Sequence, residues 1–402
     1  MSIKIESIRL KNFKAFKDVT IRNIPRMCVV VGANGAGKST LFDVFGFLRD
    51  SLTDNVQIAL SKRGGFKEVR TRDADGGIEI ELKFRFRMTT KTTKKIPLAT
   101  YTLAINEKNG QVIVEREELR YRRGSYGQPW KFLAFYNGAG EAVTNEFDDV
   151  DDESKLSREK QTLAKPNILA IKGLAQFQRY PAVMALGQMI ENWHVSDFHI
   201  SSARSLPDAG YAEHLSREGE NLALVTQYLY EYKREAFNTI LKKLAERVPG
   251  ISKVEAKTSE EGRVLLRFQD GAFKDPFLAR YVSDGTIKMF AYLVLLYDPS
   301  PHPLLCVEEP ENQLYPKLLY ELAEEFSAYA SKGSQVFIST HSPDFLNAVE
   351  LDSVFWLVKD KESGVTHVKR AKDDEQIAAF MAEGDKMGYL WKQGFFEGVD
   401  PL

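Results

Sequence analysis

The chain has 402 residues, 43% of them hydrophobic and 28% charged. That balance excludes global disorder, and the length exceeds what one hydrophobic core usually serves. With 55 Lys plus Arg against 56 Asp plus Glu, the net charge is -1, so any site for a polyanion must be a local patch.

In chain order, Ile3–Phe13 alternates apolar and polar residues and predicts a half-buried strand. A turn at Asn23–Pro25 leads into Met27–Val31, an apolar run suited to a strand buried on both faces. Gly32–Thr40 and a helical segment, Leu41–Leu52, follow. Residues 78–136 alternate in Ile78–Phe86, Tyr101–Ile105 and Val112–Glu118, which predicts antiparallel sheet. Glu141–Lys160 holds eight acids against three bases with no periodicity, and predicts an exposed loop. Helices are expected over roughly Pro166–Trp193 and Glu213–Val248, the second stopped at Gly250. Ile251–Thr258 and Arg263–Gln269 predict a strand pair closed by the Asp270-Gly271 turn. From Asp284 the pattern alternates: helix Thr286–Tyr297, strand Leu304–Glu308, helix Leu314–Ser331, strand Gln335–Thr340, then helix. Such alternation signals a parallel sheet. Strands Ser353–Val358 and Val365–Lys369 and a helix near Asp374–Gln393 complete the chain.

The apolar runs are too short to span a bilayer, and Met1–Glu6 offers no apolar signal-peptide core, so the expected location is the cytoplasm with no membrane partner. Two cysteines, Cys28 and Cys306, support neither a disulfide framework nor a four-ligand zinc site.

Four segments carry chemistry. Gly32-Ala33-Asn34-Gly35-Ala36-Gly37-Lys38-Ser39-Thr40 fits the phosphate-loop pattern between a buried strand and a helix. Its glycines let backbone N–H groups curl around phosphates; Lys38 would reach the β- and γ-phosphates of ATP, and Ser39 would ligate Mg²⁺. Leu304–Glu309 is an apolar strand ending in two acids, Glu308 where a metal-supporting carboxylate belongs and Glu309 where a residue polarising the attacking water belongs. Gln335–His341 is a buried strand ending in a histidine that could bond a γ-phosphate oxygen or the attacking water. Ser283, Asp284 and Gly285 open a helix, where they suit either plain N-capping or the holding of a phosphate.

In this order the segments resemble the ABC-type ATPase head of the SMC/RecF superfamily. Gly32–Thr40 looks like Walker A, Ser283–Thr286 the signature motif, Leu304–Glu309 Walker B and His341 the switch histidine. Ile8–Phe16 is similar to that superfamily's opening strand and loop. The strings Glu308–Glu311 and Ser339–Pro343 are similar to those of compact RecF-like ATPases of prokaryotic defence and mobile-element systems. The resemblance implies an α/β fold, an ABC-type P-loop head with an antiparallel β lobe and a helical insertion. The resemblance covers about 1–70 and 275–358 strongly and the middle hardly at all; with the patterns above, the expected division is a core at 1–75 and 275–358 with sheet 78–136 packed on it, an acidic loop and helical insertion at 141–250, a strand pair at 251–270, and terminal strands and helix at 353–402. The resemblance also implies that ATP and Mg²⁺ are clasped between two copies, each signature facing the other's P-loop, and that a separate nuclease-like or toxin-like effector does any cleaving. The switch-histidine strand of this fold separates the cysteines by roughly 9–10 Å, beyond disulfide reach.

The sequence departs from the family pattern in three places. Glu308 replaces the usual Walker B aspartate, the signature reads Ser-Asp-Gly-Thr, and the nearest Q-loop candidate, Gln57, reads as a helix-surface residue. DNA contact rests on Lys83, Arg85, Arg87, Lys91, Lys94 and Lys95 with Arg120, Arg122 and Arg123; the same residues suit a solvated edge hairpin.

Overall fold

In the computed structural model, residues 3–86, 88–89, 94–123, 127–146, 148, 150 and 152–398 are described. Alternation of buried and half-buried side chains along β1 (Lys4–Phe13) repeats in β4 (Ile78–Arg85) and β7 (Leu98–Lys108), whereas β3 (Met27–Gly32) is buried at every position. The first pattern belongs to a sheet with one wet face, the second to a sheet covered on both. Around them lie β2 (Phe16–Arg22), α1 (Lys38–Thr53), α2 (Val56–Ser61), α3 (Phe66–Val69) and the short β5 (Met88–Thr89) and β6 (Lys94–Lys95). β8 (Gln111–Tyr121), β9 (Trp130–Tyr136), β10 (Ala139–Val143) and β11 (Arg158–Thr162) complete an eight-stranded antiparallel sheet, β11-β10-β9-β8-β7-β4-β1-β2.

The chain then runs through α4 (Ala170–Leu174), α5 (Pro181–Glu191), β12 (His194–Ser196), α6 (Ile200–Ala203), α7 (Leu222–Tyr232) and α8 (Arg234–Arg247). A three-stranded sheet follows: β13 (Ile251–Thr258), β14 (Val264–Asp270) and β15 (Phe277–Leu278). Last come α9 (Asp284–Leu296), β16 (Leu304–Glu308), α10 (Pro316–Ser331), β17 (Gln335–Ser339), α11 (Pro343–Leu346), β18 (Val354–Lys359), β19 (Thr366–Arg370), α12 (Glu375–Glu383) and α13 (Met387–Lys392).

The second large sheet has the order β12-β16-β17-β3-β18-β19, parallel except for β19. Strand alternation divides it between two cores. Cys28, Val30, Cys306 and Phe337 face α1 and the antiparallel sheet, while Val29, Val31, Leu305 and Ile338 face α9 and α10. α1 lies between the two sheets, which is why Leu41, Phe42, Val44, Phe45 and Phe47 are all fully buried. Gln335 joins the sheets at one end, its amide exchanging hydrogen bonds with both backbone groups of Ile5 at 2.9 Å. Both cysteines are buried, with Phe337 in register between them.

Several expectations are corrected. The acid-rich stretch is not a loop throughout: it contributes β10 and β11 to the sheet edge, where Arg158 pairs with Glu141 and Glu153, and Glu146 is buried. Charged side chains on an edge strand hide its period-2 pattern. The expected helix 166–193 is two helices separated at residues 175–180, and 213–248 begins as loop and then breaks at Lys233 (φ -133). The β13–β14 turn is closed by Ser259 and Arg263, not by Asp270-Gly271, which leaves the sheet at the other end. The terminal helix is divided at Gly384 (φ +102), where a left-handed conformation ends α12. The expected terminal strands do pair, as β18 and β19, and β18 also joins the parallel sheet beside β3.

Candidate functional site

β3, β16 and β17 run in one direction, so Gly32, Glu308 and Ser339 reach the same sheet edge, where open α/β sheets bind ligands. After β3 the chain turns through Gly35 (φ +78) and Gly37 (φ +103), conformations that glycine adopts without strain. A Cβ on Gly37 would meet Ala15 at 3.3 Å. Ala36 is buried and its carbonyl accepts from Thr366 Oγ1 at 2.9 Å, while Asn34 and Gly35 are exposed.

Lys38 opens α1. Its Nζ donates to the carbonyls of Gly32 (2.8 Å) and Ala33 (3.2 Å), so the ammonium holds its own loop closed. Burial lowers its pKa, opposed by the nearby Glu309, Glu308 and Glu311. Ser39 is exposed and Thr40 half-buried. Burial raises the pKa of the Glu308 carboxylate, opposed by the nearby Ser39 hydroxyl.

Glu309 takes a left-handed backbone (φ +44), a strained conformation for a non-glycine residue, and its N–H is held by Ser339 O at 3.0 Å. Its Oε2 accepts from Asn312 at 3.0 Å and its Oε1 lies 3.5 Å from His341 Nε2. Burial, then Lys38, lowers the His341 pKa, so the ring is neutral at pH 7. Ser283 caps α9, accepting from Thr286 N–H at 3.3 Å, and Asp284 pairs with Arg204 at 2.6 Å. A Cβ on Gly285 would meet Gln313 O at 3.1 Å.

Four residues join this site that sequence reasoning missed. β12 pairs with β16 so that Ser196 is beside Val307, which brings Asp197 alongside Glu308, with Arg217 3.4 Å from the Asp197 carboxylate. Three buried residues are too short a run to announce a strand. Glu311 accepts from His341 N–H at 2.6 Å and Thr340 Oγ1 at 2.9 Å, fixing the histidine's position. Lys288, buried on α9, donates to Asn312 O at 2.7 Å, and burial lowers its pKa to about 8. The Glu308-Glu309-Pro310-Glu311 string was the available signal for Glu311.

Ser39, Glu308, Asp197 and Asp43 line a cleft of about 340 Å³. A hydroxyl and carboxylates are the oxygen donors a hard cation takes, so these residues fit Mg²⁺. Gln57 is exposed on α2 and joins no site residue. Of the basic residues, Lys83 pairs with Glu81, Arg85 with Glu6 and Arg120 with Glu118. Arg87 and Lys91, and the side chains of Lys94 and Lys95, lie outside the described residues. Among the described residues no helix is long and apolar enough to cross a membrane.

Residues 3–172 match the family described as "AAA ATPase domain", and residues 190–347 match "AAA domain, putative AbiEii toxin, Type IV TA system". The chain is 20% identical to an ATP/GTP phosphatase of Helicobacter pylori over 96% of this chain and 98% of that protein. Its fold is similar to an SMC head bound to the C-winged helix domain of ScpA (TM-score 0.53, 16% identity, 91% of this chain and 97% of that one). It is equally similar to an Smc head with an extended coiled coil, bound to the C-terminal domain of ScpA derived from Pyrococcus furiosus (TM-score 0.53, 13% identity, 95% and 99%). Two ATPase-domain family models thus match the two parts of a chain that has the fold of an SMC head, and these matches support an ATPase that converts ATP and water to ADP and phosphate.

Proposed function

We propose that the protein is an ATP-driven dimerising switch, with nucleotide clasped between the P-loop of one copy and Ser283–Gly285 of the other. The observation that carries this reading is the separation of two surfaces. Lys38, Glu308, Glu309 and His341 converge at one sheet edge, whereas Ser283 and Gly285 line a cleft of about 520 Å³ that no P-loop residue enters; Asp284 between them faces the other way, into a cleft it shares with Glu308 and Glu309. An exposed helix N-terminus attracts anions, and among the described residues no P-loop residue of the same copy lines the cleft in front of this one.

In this reading, Gly32–Thr40 wraps the phosphates, with Asn34, Gly35, Ala36 and Gly37 supplying backbone and Lys38 a charge-assisted contact. Lys38 exchanges its bonds to Gly32 and Ala33 for phosphate oxygens. Ser39 and Glu308 hold Mg²⁺, which when bound neutralises charge on the β- and γ-oxygens. Glu309 orients the attacking water. Neutral His341 donates a hydrogen bond toward the γ-phosphate, fixed by Glu311, and Lys288 steadies the turn carrying Glu309. The output passes to a separate nuclease-like or toxin-like effector in a prokaryotic defence or DNA-maintenance system. DNA contact has weaker support, since several of the basic residues are engaged by acids. One observation favours a second reading, a slowly hydrolysing scaffold that holds a partner: Glu308 is a methylene longer than the usual aspartate.

Glu309→Gln tests the switch. With ATP and Mg²⁺ it is expected to elute as a dimer and to lose turnover by at least a hundredfold, since it keeps the shape and loses the charge that orients water. Wild-type turnover would remove Glu309 from this role.

A further inference from the structure

Three of the chain's six histidines meet at the opposite end of β16 from Glu308. His302 stacks on His194 with ring centroids 4.7 Å apart and tilts against His214 at 5.3 Å. Asp298 joins them, its Oδ2 at 2.6 Å from His214 Nδ1 and its side chain only 6% exposed. One ligand atom from each of His214, Asp298 and His302 lies within 4.8 Å of the others.

The bonding around the rings is selective. Nδ1 of His302 lies 3.2 Å from the carbonyl of Asn192. A carbonyl only accepts, so Nδ1 carries the proton and Nε2 carries the lone pair. That Nε2 is buried without a hydrogen-bond partner, as is Nε2 of the 4% exposed His194. Buried polar atoms normally find partners, and the bare His302 nitrogen beside Asp298 and His214 calls for an explanation. A His–Asp hydrogen bond accounts for His214 but not for His302. An imidazole that donates Nδ1–H to a carbonyl and presents Nε2 is the arrangement metal-binding histidines adopt.

We propose that His214, Asp298 and His302 form a binding site for a zinc-like divalent transition-metal ion, with water in the fourth position and His194 packed behind His302. Imidazole nitrogen with one carboxylate oxygen suits Zn²⁺ rather than Mg²⁺. Tetrahedral ligands at about 2.0–2.1 Å from the ion stand roughly 3.3 Å apart, so the trio closes on an ion through side-chain rotation. Solvent reaches the ion past the half-exposed His214, through a cleft of about 590 Å³ that both His214 and His302 line. His214 is in the loop before α7, its carbonyl held by Asn221 at 2.9 Å. Asp298 and His302 lie on the connection from α9 to β16. The ion therefore braces the segment joining the Ser283 helix to the Glu308 strand, at the opposite end of β16 from Glu308.

The test uses untagged full-length protein, stripped with chelator and titrated with Zn²⁺ in excess Mg²⁺, which saturates oxygen-donor sites. One Zn²⁺ per chain and a rise in melting temperature are expected. Co²⁺ should give the visible bands of a tetrahedral site with nitrogen ligands. His214→Ala and His302→Ala should each weaken Zn²⁺ binding by at least tenfold. His302→Gln keeps a donor for Asn192 and serves if the alanine variant misfolds. Absence of Zn²⁺ binding at about 10 µM, or Zn²⁺ affinity unchanged in folded His214 and His302 variants, would overturn the site. Neither result bears on ATP hydrolysis at Lys38.

Discussion

Lys38 shows how one residue can be legible in sequence and still surprise in structure. The phosphate-loop pattern assigns it to phosphate, yet here its ammonium satisfies two carbonyls of its own loop. Lys38→Ala therefore removes a phosphate contact and also leaves those carbonyls to water, without opening the core. Charge-assisted hydrogen bonds are normally worth about 1.5–3 kcal/mol, so ATP affinity should fall by at least tenfold, measured by fluorescent-nucleotide titration. The melting temperature should shift by only a few degrees. Affinity within twofold of wild type would contradict the assignment. Glu311 and Lys288 mark the limit of motif reading at this scale, because their roles depend on which backbone groups they reach.

Two carboxylates serve as caps between elements. Buried Glu117 on β8 accepts from Ala170 N–H (2.5 Å) and Ile171 N–H (3.1 Å) at the start of α4, and from Tyr101 Oη at 3.1 Å. Glu146 accepts from Ala182 N–H at 3.2 Å near the start of α5, and from Tyr121 Oη at 2.5 Å. Burial outweighs these bonds and raises both pKa values to about 7. The folded protein thus keeps protons that the unfolded chain, with a carboxylate pKa near 4.5, has released. Their stabilising effect is complete below that value and is lost as pH rises through about 7, on the order of 3 kcal/mol per group. Melting temperature should fall between pH 5.5 and about pH 8, and Glu117→Gln with Glu146→Gln should flatten the profile. An unchanged slope in the folded double variant would refute this. Sequence reading placed Glu146 in a solvated acidic loop; only sheet formation buried it.

At the scale of the molecule, the two-copy reading makes a prediction that a single head does not. Ser283→Arg should leave ATP binding near wild type while abolishing ATP-dependent dimerisation and turnover, because the bulky side chain stands where the second copy's phosphate would arrive. An N-cap role alone predicts a stability loss of about 0.5–2 kcal/mol, with activity falling only as folding does. Light scattering with ATP separates the outcomes, and wild-type dimerisation would sink the sandwich model. A mixture of Ser283→Arg and Lys38→Ala subunits sharpens the test, since each heterodimer has one site carrying both defects and one carrying neither.

The sequence by itself determined the local part of this protein. A phosphate loop is nine consecutive residues, and the strand–turn–helix around it is written in adjacent periodicities; the same holds for Leu304–Glu309 and Gln335–His341. Parallel sheet after Asp284 was legible for that reason, as was the antiparallel sheet of 78–136. Tertiary structure decided what lies beside what. Asp197 reaches Glu308 because a three-residue strand adds to the sheet edge, and His194, His214 and His302 meet because β12 and β16 are neighbours. No local pattern encodes such pairings: strand order and register are settled by the whole core closing at once, when alternate residues of one sheet must satisfy two different faces.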